Sequence, residues 1–345
     1  MEIRAPNVTL ADSRFRMNVS QGVYAHGSAS DLTILRSRIV DNGNWGLDLH
    51  GNNTAVEDSY IWSNTNGGIY ISANSPTVRG DTVGSNTGRG VDVGDASNSV
   101  VEDNLIVDNT DYGARIQNGA VVSGNRIRGN TYPLQITSDV LGGMGGQVID
   151  SLLGNDADTL LVQCCGNVSS GDTVRTIPAL PWRVDNAEDI RWDNGSVWMI
   201  AAGVTIASQN TSFVFDDAVV LALGEDGAPI QFIGFDSTPG SWGGLVFNNG
   251  PDTSRLRQVE FRHGGGRRDG TTLSIAGGLV VLDTVSVLHG NGNGIDVGVP
   301  SYFAVRGPII ADSNNGRGMD LQAPNVTISD SRFIGNANRG FNSES

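Results

Sequence analysis

Residues 31–51 read DLTILRSRIVDNGNWGLDLHG. Within this stretch Leu47-Asp48-Leu49-His50 alternates apolar and polar residues, the pattern of a short strand with one buried face. Asn42 stands a few residues ahead of a glycine, and that pair provides a register for the rest of the chain. Aligned on it, similar segments begin at Asn7 (NVTLADSRFRMNVSQGVYAHG), Thr54 (TAVEDSYIWSNTNGGIYIS), Pro76 (PTVRGDTVGSNTGRGVDVG), Ser99 (SVVEDNLIVDNTDYGARIQ) and Ala120 (AVVSGNRIRGNTYPLQIT). The pattern returns late as LVVLDTVSVLHGNGNGIDVG, YFAVRGPIIADSNNGRGMDLQ and NVTISDSRFIGNANRGF. One column is asparagine throughout: Asn18, Asn42, Asn64, Asn86, Asn109 and Asn130, then Asn291, Asn314 and Asn336.

A unit of two or three short strands cannot bury its apolar face alone. Stacked units bury a continuous core, so a repeat of about 22 residues predicts a parallel β-helix. The asparagines are expected at turns in the left-handed conformation, with amides bonded to the coils above and below. That role is structural, and no chemistry is assigned to them.

Composition agrees. Hydrophobic residues make up 38% of the 345 residues and there are 47 glycines, which fits many short strands and tight turns better than long helices. The net charge is −15 and all 22 basic residues are arginine, so nucleic acid is not an expected partner. The two cysteines, Cys164 and Cys165, are adjacent and cannot staple a loop. They are read as a thiol pair in an irregular segment. No apolar run reaches the about 20 residues of a membrane-spanning helix. Residues 1–30 carry no signal-peptide pattern, so an export signal is expected to have been removed, or the chain to be part of something longer.

The repeats resemble the right-handed parallel β-helix coils of the pectin-lyase-like superfamily, over residues 5–139 and 270–345. The resemblance implies an all-β, right-handed parallel β-helix. Residues 1–139 are read as coils, 140–175 as an irregular excursion or boundary (LGGMGGQ, QCCGNVSSGD), and 176–345 as coils again. From Thr176 the text resembles the opening coils of bacterial surface and secreted β-helix proteins: Gly203–Ile206, Ala228–Phe232 and Trp242–Gly244 follow in that order. Trp242 is expected at a corner, with Gly243 and Gly244 allowing a tight bend. This resemblance implies an extracellular or cell-surface location. APNVTLADSRF from Ala5 also nearly repeats as APNVTISDSRF from Ala323. Two readings fit: the chain is one period of a longer tandem array, or two β-helix segments share a coil consensus and the match is incidental. Either way the terminal coils carry no polar cap in the sequence, which predicts end-to-end stacking of protomers or of consecutive units, in fibre fashion.

The outward positions of the strand after each glycine form two columns. The first is Tyr24, Asp48, Tyr70, Asp92, Arg115 and Gln135; the second begins with His26 and His50, expected side by side. Such a mixed acidic, aromatic and basic strip suits a sugar chain. In pectin-lyase-like enzymes the outward face of one sheet carries the active site. No motif of a polygalacturonase, pectate lyase or pectin methylesterase is present, however, and Asp48 and Asp92, two coils apart, would reach only the separation of an inverting glycosidase. A second candidate is EFRHGGGRRDG, Glu260 to Gly270, where Arg262, His263, Arg267, Arg268 and Asp269 crowd a glycine-rich loop able to hold a carboxylate or sulfate. The candidate binding residues are therefore Tyr24, His26, Asp48, His50, Tyr70, Asp92, Arg115, Arg262, His263 and Arg267. No cofactor and no metal are expected. The leading reading is an extracellular structural or adhesive solenoid that contacts a polysaccharide; the alternative is a polysaccharide lyase or glycoside hydrolase acting on an acidic polysaccharide.

Overall fold

A computed structural model describes the chain apart from residues 95, 146, 148, 164–165, 169–172, 186–187, 194, 251, 268–269, 300–301 and 344–345. Cys164, Cys165, Arg268 and Asp269 thus lie outside the described residues. The chain divides into two units, Met1–Leu161 and Val162–Ser345.

In the first unit each coil carries three short strands. The coil quoted above supplies Thr33–Leu35, Arg38–Val40 and Trp45–Leu49. Each strand pairs in parallel with its counterparts in neighbouring coils, giving three parallel sheets. The corners repeat every five residues. Arg36 and Asp41 hold left-handed φ, as do Asp58 and Ser63, Gly80 and Ser85, and Asp103 and Asp108. Asp, Asn, Ser and Gly dominate these corners because small or locally hydrogen-bonding side chains tolerate that region. The inward residues are aliphatic: Ile34, Val56 and Val78 line one sheet, Ile39, Ile61 and Val83 the next, and Leu47, Ile69 and Val91 the third, all fully buried. Each such side chain contributes roughly 1.5–3 kcal/mol of hydrophobic stabilisation.

The asparagine column is a hydrogen-bonded ladder. Each asparagine's backbone N–H and Nδ2 donate to the Oδ1 of the asparagine one coil on, from Asn18 through Asn42, Asn64, Asn86 and Asn109 to Asn130, with Nδ2–Oδ1 distances of 2.7–3.0 Å. Asn130 hands the ladder on to Asn155, which the repeat alignment did not reach. Two details differ from expectation. The ladder asparagines are not the left-handed residues; the residue just before each one is, so that the chain turns first and the amide then points inward. And Asn291 is outside the ladder: its neighbour Gly290 occupies that register and donates its N–H to Asn314 Oδ1 at 2.8 Å, while Asn291 is exposed. Asn314 continues regularly to Asn336.

The ladder also explains the glycine four residues later. A Cβ on Gly46 would sit 2.7 Å from Asn64 Nδ2, and one on Gly90 2.7 Å from Asn109 Nδ2. The amide needs that space, so the Asn-to-Gly spacing is a packing requirement.

A second buried ladder runs five residues ahead of the first. Backbone N–H groups of Ser13, Ser37, Ser59, Asp81, Asn104 and Asn125 donate to the side-chain oxygens of Ser37, Ser59, Asp81, Asn104, Asn125 and Gln147. Residues Ser138–Met144 and Ile149–Leu152 form two 3-10 helices, and Gln147 between them takes the last rung.

The second unit is also built of parallel strands, including one sheet of eight that runs from Asn167–Val168 to Phe341–Ser343. The ten-residue strands Thr253–Arg262 and Leu279–Leu288 bend at Gln258 and Thr284, both left-handed, and so serve two lanes each. Its core is aromatic where the first unit's is aliphatic. Trp192 stacks on Trp198 at 4.8 Å, Phe215 on Phe247 at 5.1 Å and Phe232 on Phe261 at 5.2 Å. Trp242 lies in the bend just ahead of the strand Gly244–Asn249 and is fully buried in this stack, and its Nε1–H donates to the Arg262 carbonyl at 2.7 Å. The backbone beside it is tight, since a Cβ on Gly243 would meet Ser212 Oγ at 2.1 Å. Among the described residues no helix is long and apolar enough to cross a membrane.

Candidate carbohydrate-contact strip

The first outward column forms in the expected register. Tyr24 pairs with Asp48, Asp48 with Tyr70, Tyr70 with Asp92, Asp92 with Arg115, and Arg115 with Gln135. Alternation along a strand with one face in the core dictates this.

The chemistry of the column divides in two. At one end Asp92 is buried, 1% exposed, and held by two guanidiniums: Arg89 Nη1 donates to Oδ2 at 2.7 Å and Arg115 Nε to Oδ1 at 2.9 Å. At the other end Asp48 receives Gln21 Nε2 at 2.9 Å and lies 2.9 Å from His50 Nε2. The His50 ring packs between two tyrosines, 5.6 Å from Tyr24 and 5.8 Å from Tyr70. His50 thus turns to Asp48 and the tyrosines instead of forming the imidazole pair expected with His26. His26 is exposed, with its Nδ1 3.3 Å from Ser28 Oγ.

A parallel column escaped the sequence reading. Trp45 pairs with Gly67, and Tyr112 with Tyr132, in one lane that Arg89 shares. The Trp45 ring lies over Gly67, where a Cβ would meet it at 2.1 Å, and 5.5 Å from Tyr70. Tyr112 and Tyr132 stack at 5.3 Å. The signal was present two positions before the inward residues, where Trp45, Gly67, Arg89, Tyr112 and Tyr132 align. Beside Trp45 a shallow groove of about 400 Å³ is walled by Asn66, Thr87, Arg89, Thr110 and Asp111. The two columns give half-exposed aromatic faces flanked by hydroxyls, amides and fixed charges. Such a surface stacks on sugar C–H faces and hydrogen-bonds sugar hydroxyls.

In the second unit the two described arginines of the glycine-rich loop, Arg262 and Arg267, are engaged. Arg262 Nε is 2.6 Å from Glu260 Oε1, and Arg267 donates Nη1 to the Asn210 carbonyl at 2.9 Å with Asp189 at 3.9 Å. His263 stacks on His289, an arrangement not visible in the loop sequence. Three other arginines make no ion pair among the described residues. Arg255, Arg257 and Arg306 converge with Asp283 on a small groove of about 170 Å³ floored by Leu223, Leu256 and Val281. Register places them together: Arg255 and Arg257 lie two apart on one strand, and Arg257 pairs with Asp283. Among the described residues no cluster of three or more His, Cys, Asp or Glu has the geometry to hold a metal ion.

The geometry defines a class, the parallel β-helix proteins. A family model, that of the right handed beta helix region, matches residues 3–141. That segment is similar to the family, and its parallel strands stacked coil on coil are consistent with a right-handed β-helix of the pectin-lyase-like fold. No curated protein and no solved structure matches the chain.

Proposed function

We propose that this β-solenoid is an extracellular structural or adhesive protein that binds a polysaccharide along the Trp45–Tyr70–Tyr24 strip without turning it over. The observation that carries this reading is the coexistence of open aromatic faces with acids already committed to partners. Asp92 is neutralised by Arg89 and Arg115, and Asp48 accepts Gln21 Nε2 at Oδ2 with its buried Oδ1 2.9 Å from His50 Nε2. A general acid or nucleophile needs a carboxyl free to exchange its proton or attack, whereas a binding surface profits from charges fixed in place. Arg255, Arg257 and Arg306, none of which makes an ion pair among the described residues, support an acidic polysaccharide, because guanidinium pairs well with carboxylate and sulfate.

The test is a titration of the whole chain with neutral and acidic oligosaccharides, read by calorimetry and by ultraviolet absorbance for unsaturated products. Binding without product is expected. Trp45→Ala should weaken it by up to about tenfold, given about 0.5–1.5 kcal/mol for one aromatic stacking contact beyond its burial. Gly67→Ala, which lifts the indole off its bed, should lose a similar share. Saccharide binding unchanged in both variants would remove the strip from the site. Product formation would instead favour the alternative reading, a polysaccharide lyase or hydrolase, which the fold resemblance supports.

Stacking between copies is part of the same proposal. Asn336 receives the ladder from Asn314. Its coil nearly repeats residues 5–15, and the coil of residues 5–25 passes the ladder on from Asn18 to Asn42. A coil of this type therefore accepts a following coil in one place, which supports a coil from a second copy on residues 323–343, where Ile334 and Phe341 are 54% and 41% exposed. Negative-stain electron microscopy should show filaments that lengthen with concentration and are lost in Ile334→Asp/Phe341→Asp; dispersed particles at all concentrations would end the stacking idea.

A further inference from the structure

The chain has four histidines, and two of them meet at one corner of the second unit. His263 follows the strand Thr253–Arg262 and His289 follows Leu279–Leu288, the next coil. Their rings lie 5.7 Å apart and within 16° of parallel. Both residues hold left-handed φ, 61° and 56°. The next two coils place Ser313 and Gly335 at the same corner, with φ of 55° and 67°. The corner therefore needs only a left-handed residue, and no core packing calls for imidazole here: His289 is exposed and His263 half-buried.

We propose that His263 and His289 form a two-imidazole site for a divalent transition-metal ion, Cu²⁺ foremost. Metal–imidazole bonds of about 2.0–2.1 Å require the two donor nitrogens to come within roughly 3–4 Å. Adjacent parallel strands about 4.8 Å apart permit that when the ring tips lean together. Nitrogen donors favour copper at the top of the divalent series. Ligation requires an imidazole nitrogen without its proton. Burial holds the His263 pKa below the usual imidazole value, His289 and Arg262 lower it further, and only Asp236 acts in the opposite sense. Arg262, the nearest cation, is itself paired with Glu260 at 2.6 Å, which limits its repulsion of a metal ion. The exposed His289 side gives the ion a path in and leaves room for water as the remaining ligands. His50, by contrast, is committed to Asp48 and two tyrosines, and His26 stands alone.

The experiment is a Cu²⁺ titration of the full chain by calorimetry, with continuous-wave EPR of the one-equivalent sample. One tight Cu²⁺ with nitrogen hyperfine coupling is expected. His263→Asn and His289→Asn, which keep a residue tolerant of left-handed φ, should each weaken binding on the order of tenfold or more, since each removes one of two nitrogen donors. His26→Asn should leave it unchanged. Circular dichroism of each variant separates loss of the ligand from loss of the fold. The Met1 amino group is a further nitrogen donor, and the double variant isolates its share. Equal Cu²⁺ affinity in the wild type and the double variant, or an EPR spectrum without imidazole nitrogen, would show that the stack is a packing contact only.

Discussion

Asn86→Ala is expected to cost the first unit about 3–5 kcal/mol, because it leaves the buried Asn64 N–H without a partner, at about 1–3 kcal/mol, and removes two further hydrogen bonds at about 0.5–1.5 kcal/mol each. Asn86 is fully buried. Its Oδ1 accepts both the N–H and the Nδ2 of Asn64, at 2.9 and 3.0 Å, and its own N–H and Nδ2 donate to Asn109 Oδ1. Alanine leaves the Asn64 N–H unanswered, leaves Asn64 Nδ2 only the Ile39 carbonyl at 3.4 Å, and removes one of the two bonds that Asn109 Oδ1 accepts. Asn64 and Asn86 are fully buried, and an unpaired group in such an interior costs its full desolvation. The end rung is different: Asn18 is exposed, so Asn18→Ala should cost on the order of 1 kcal/mol or less. Urea unfolding of the two variants, compared at matched m-values, reads the difference. A midpoint for Asn86→Ala close to that of Asn18→Ala would mean the ladder is incidental to stability.

The second large effect concerns pH. Asp81 sits on the second ladder, 1% exposed, in a slot that its neighbours Asn104 and Asn125 fill with amides. Its Oδ1 accepts the Ser59 N–H at 2.7 Å, whereas Oδ2 is buried without a partner. In the adjoining coil Asn104 Nδ2 donates to the Val78 carbonyl and to Asn125 Oδ1, both at 2.9 Å. An ionised carboxylate would aim a second acceptor at such acceptors, while a protonated one can donate as an amide does. Burial raises the Asp81 pKa to about 8, against the opposing Ser59 hydrogen bond, and the charges of Asp58 and Glu57 add to the rise.

The sign follows from linkage. The folded-state pKa lies above the ordinary value of 3.8, so between pH 4 and 8 the folded chain holds a proton that the unfolded chain has released. This contribution is fully present below pH 4. It falls by about 1.4 kcal/mol per pH unit as pH rises towards 8, and levels off above that. Asp81→Asn, which supplies a permanent donor, should abolish the slope and exceed the wild type by several kcal/mol at pH 9. Unfolding free energies measured from pH 5 to 9 decide it; a wild-type curve without that fall, or an Asn variant less stable at pH 9, would contradict the assignment.

The two effects share an origin that the text of the repeat shows only in part. Asn18 to Asn130 could be aligned by eye because the same residue recurs. The second ladder could not, since Ser13, Ser37, Ser59, Asp81, Asn104 and Asn125 share a role and not an identity. The outward strip divides in the same way. Tyr24, Asp48, Tyr70 and Asp92 follow from strand alternation alone. Which of them are open to a ligand does not: Asp92 is closed off by Arg89, a residue three positions earlier in the same coil, and by Arg115 from the next.

What the amino-acid sequence determined by itself was therefore the local and the periodic: short strands, corners of Asp, Ser, Asn and Gly, a coil of about 22 residues, and the parallel stacking that such a coil needs to bury its apolar face. Periodicity is a property of one dimension and survives in the text. The tertiary structure alone decided contacts set by side-chain direction between coils. It put the left-handed residue one place before each ladder asparagine, set Gly290 and not Asn291 on the ladder, turned His50 to Asp48, stacked His263 on His289, and gave Arg257 the Gly224 carbonyl while Arg262 found Glu260. Residues that share a column are fixed by register, but the partner each one takes depends on rotamer, burial and charge among neighbours about twenty residues away along the chain.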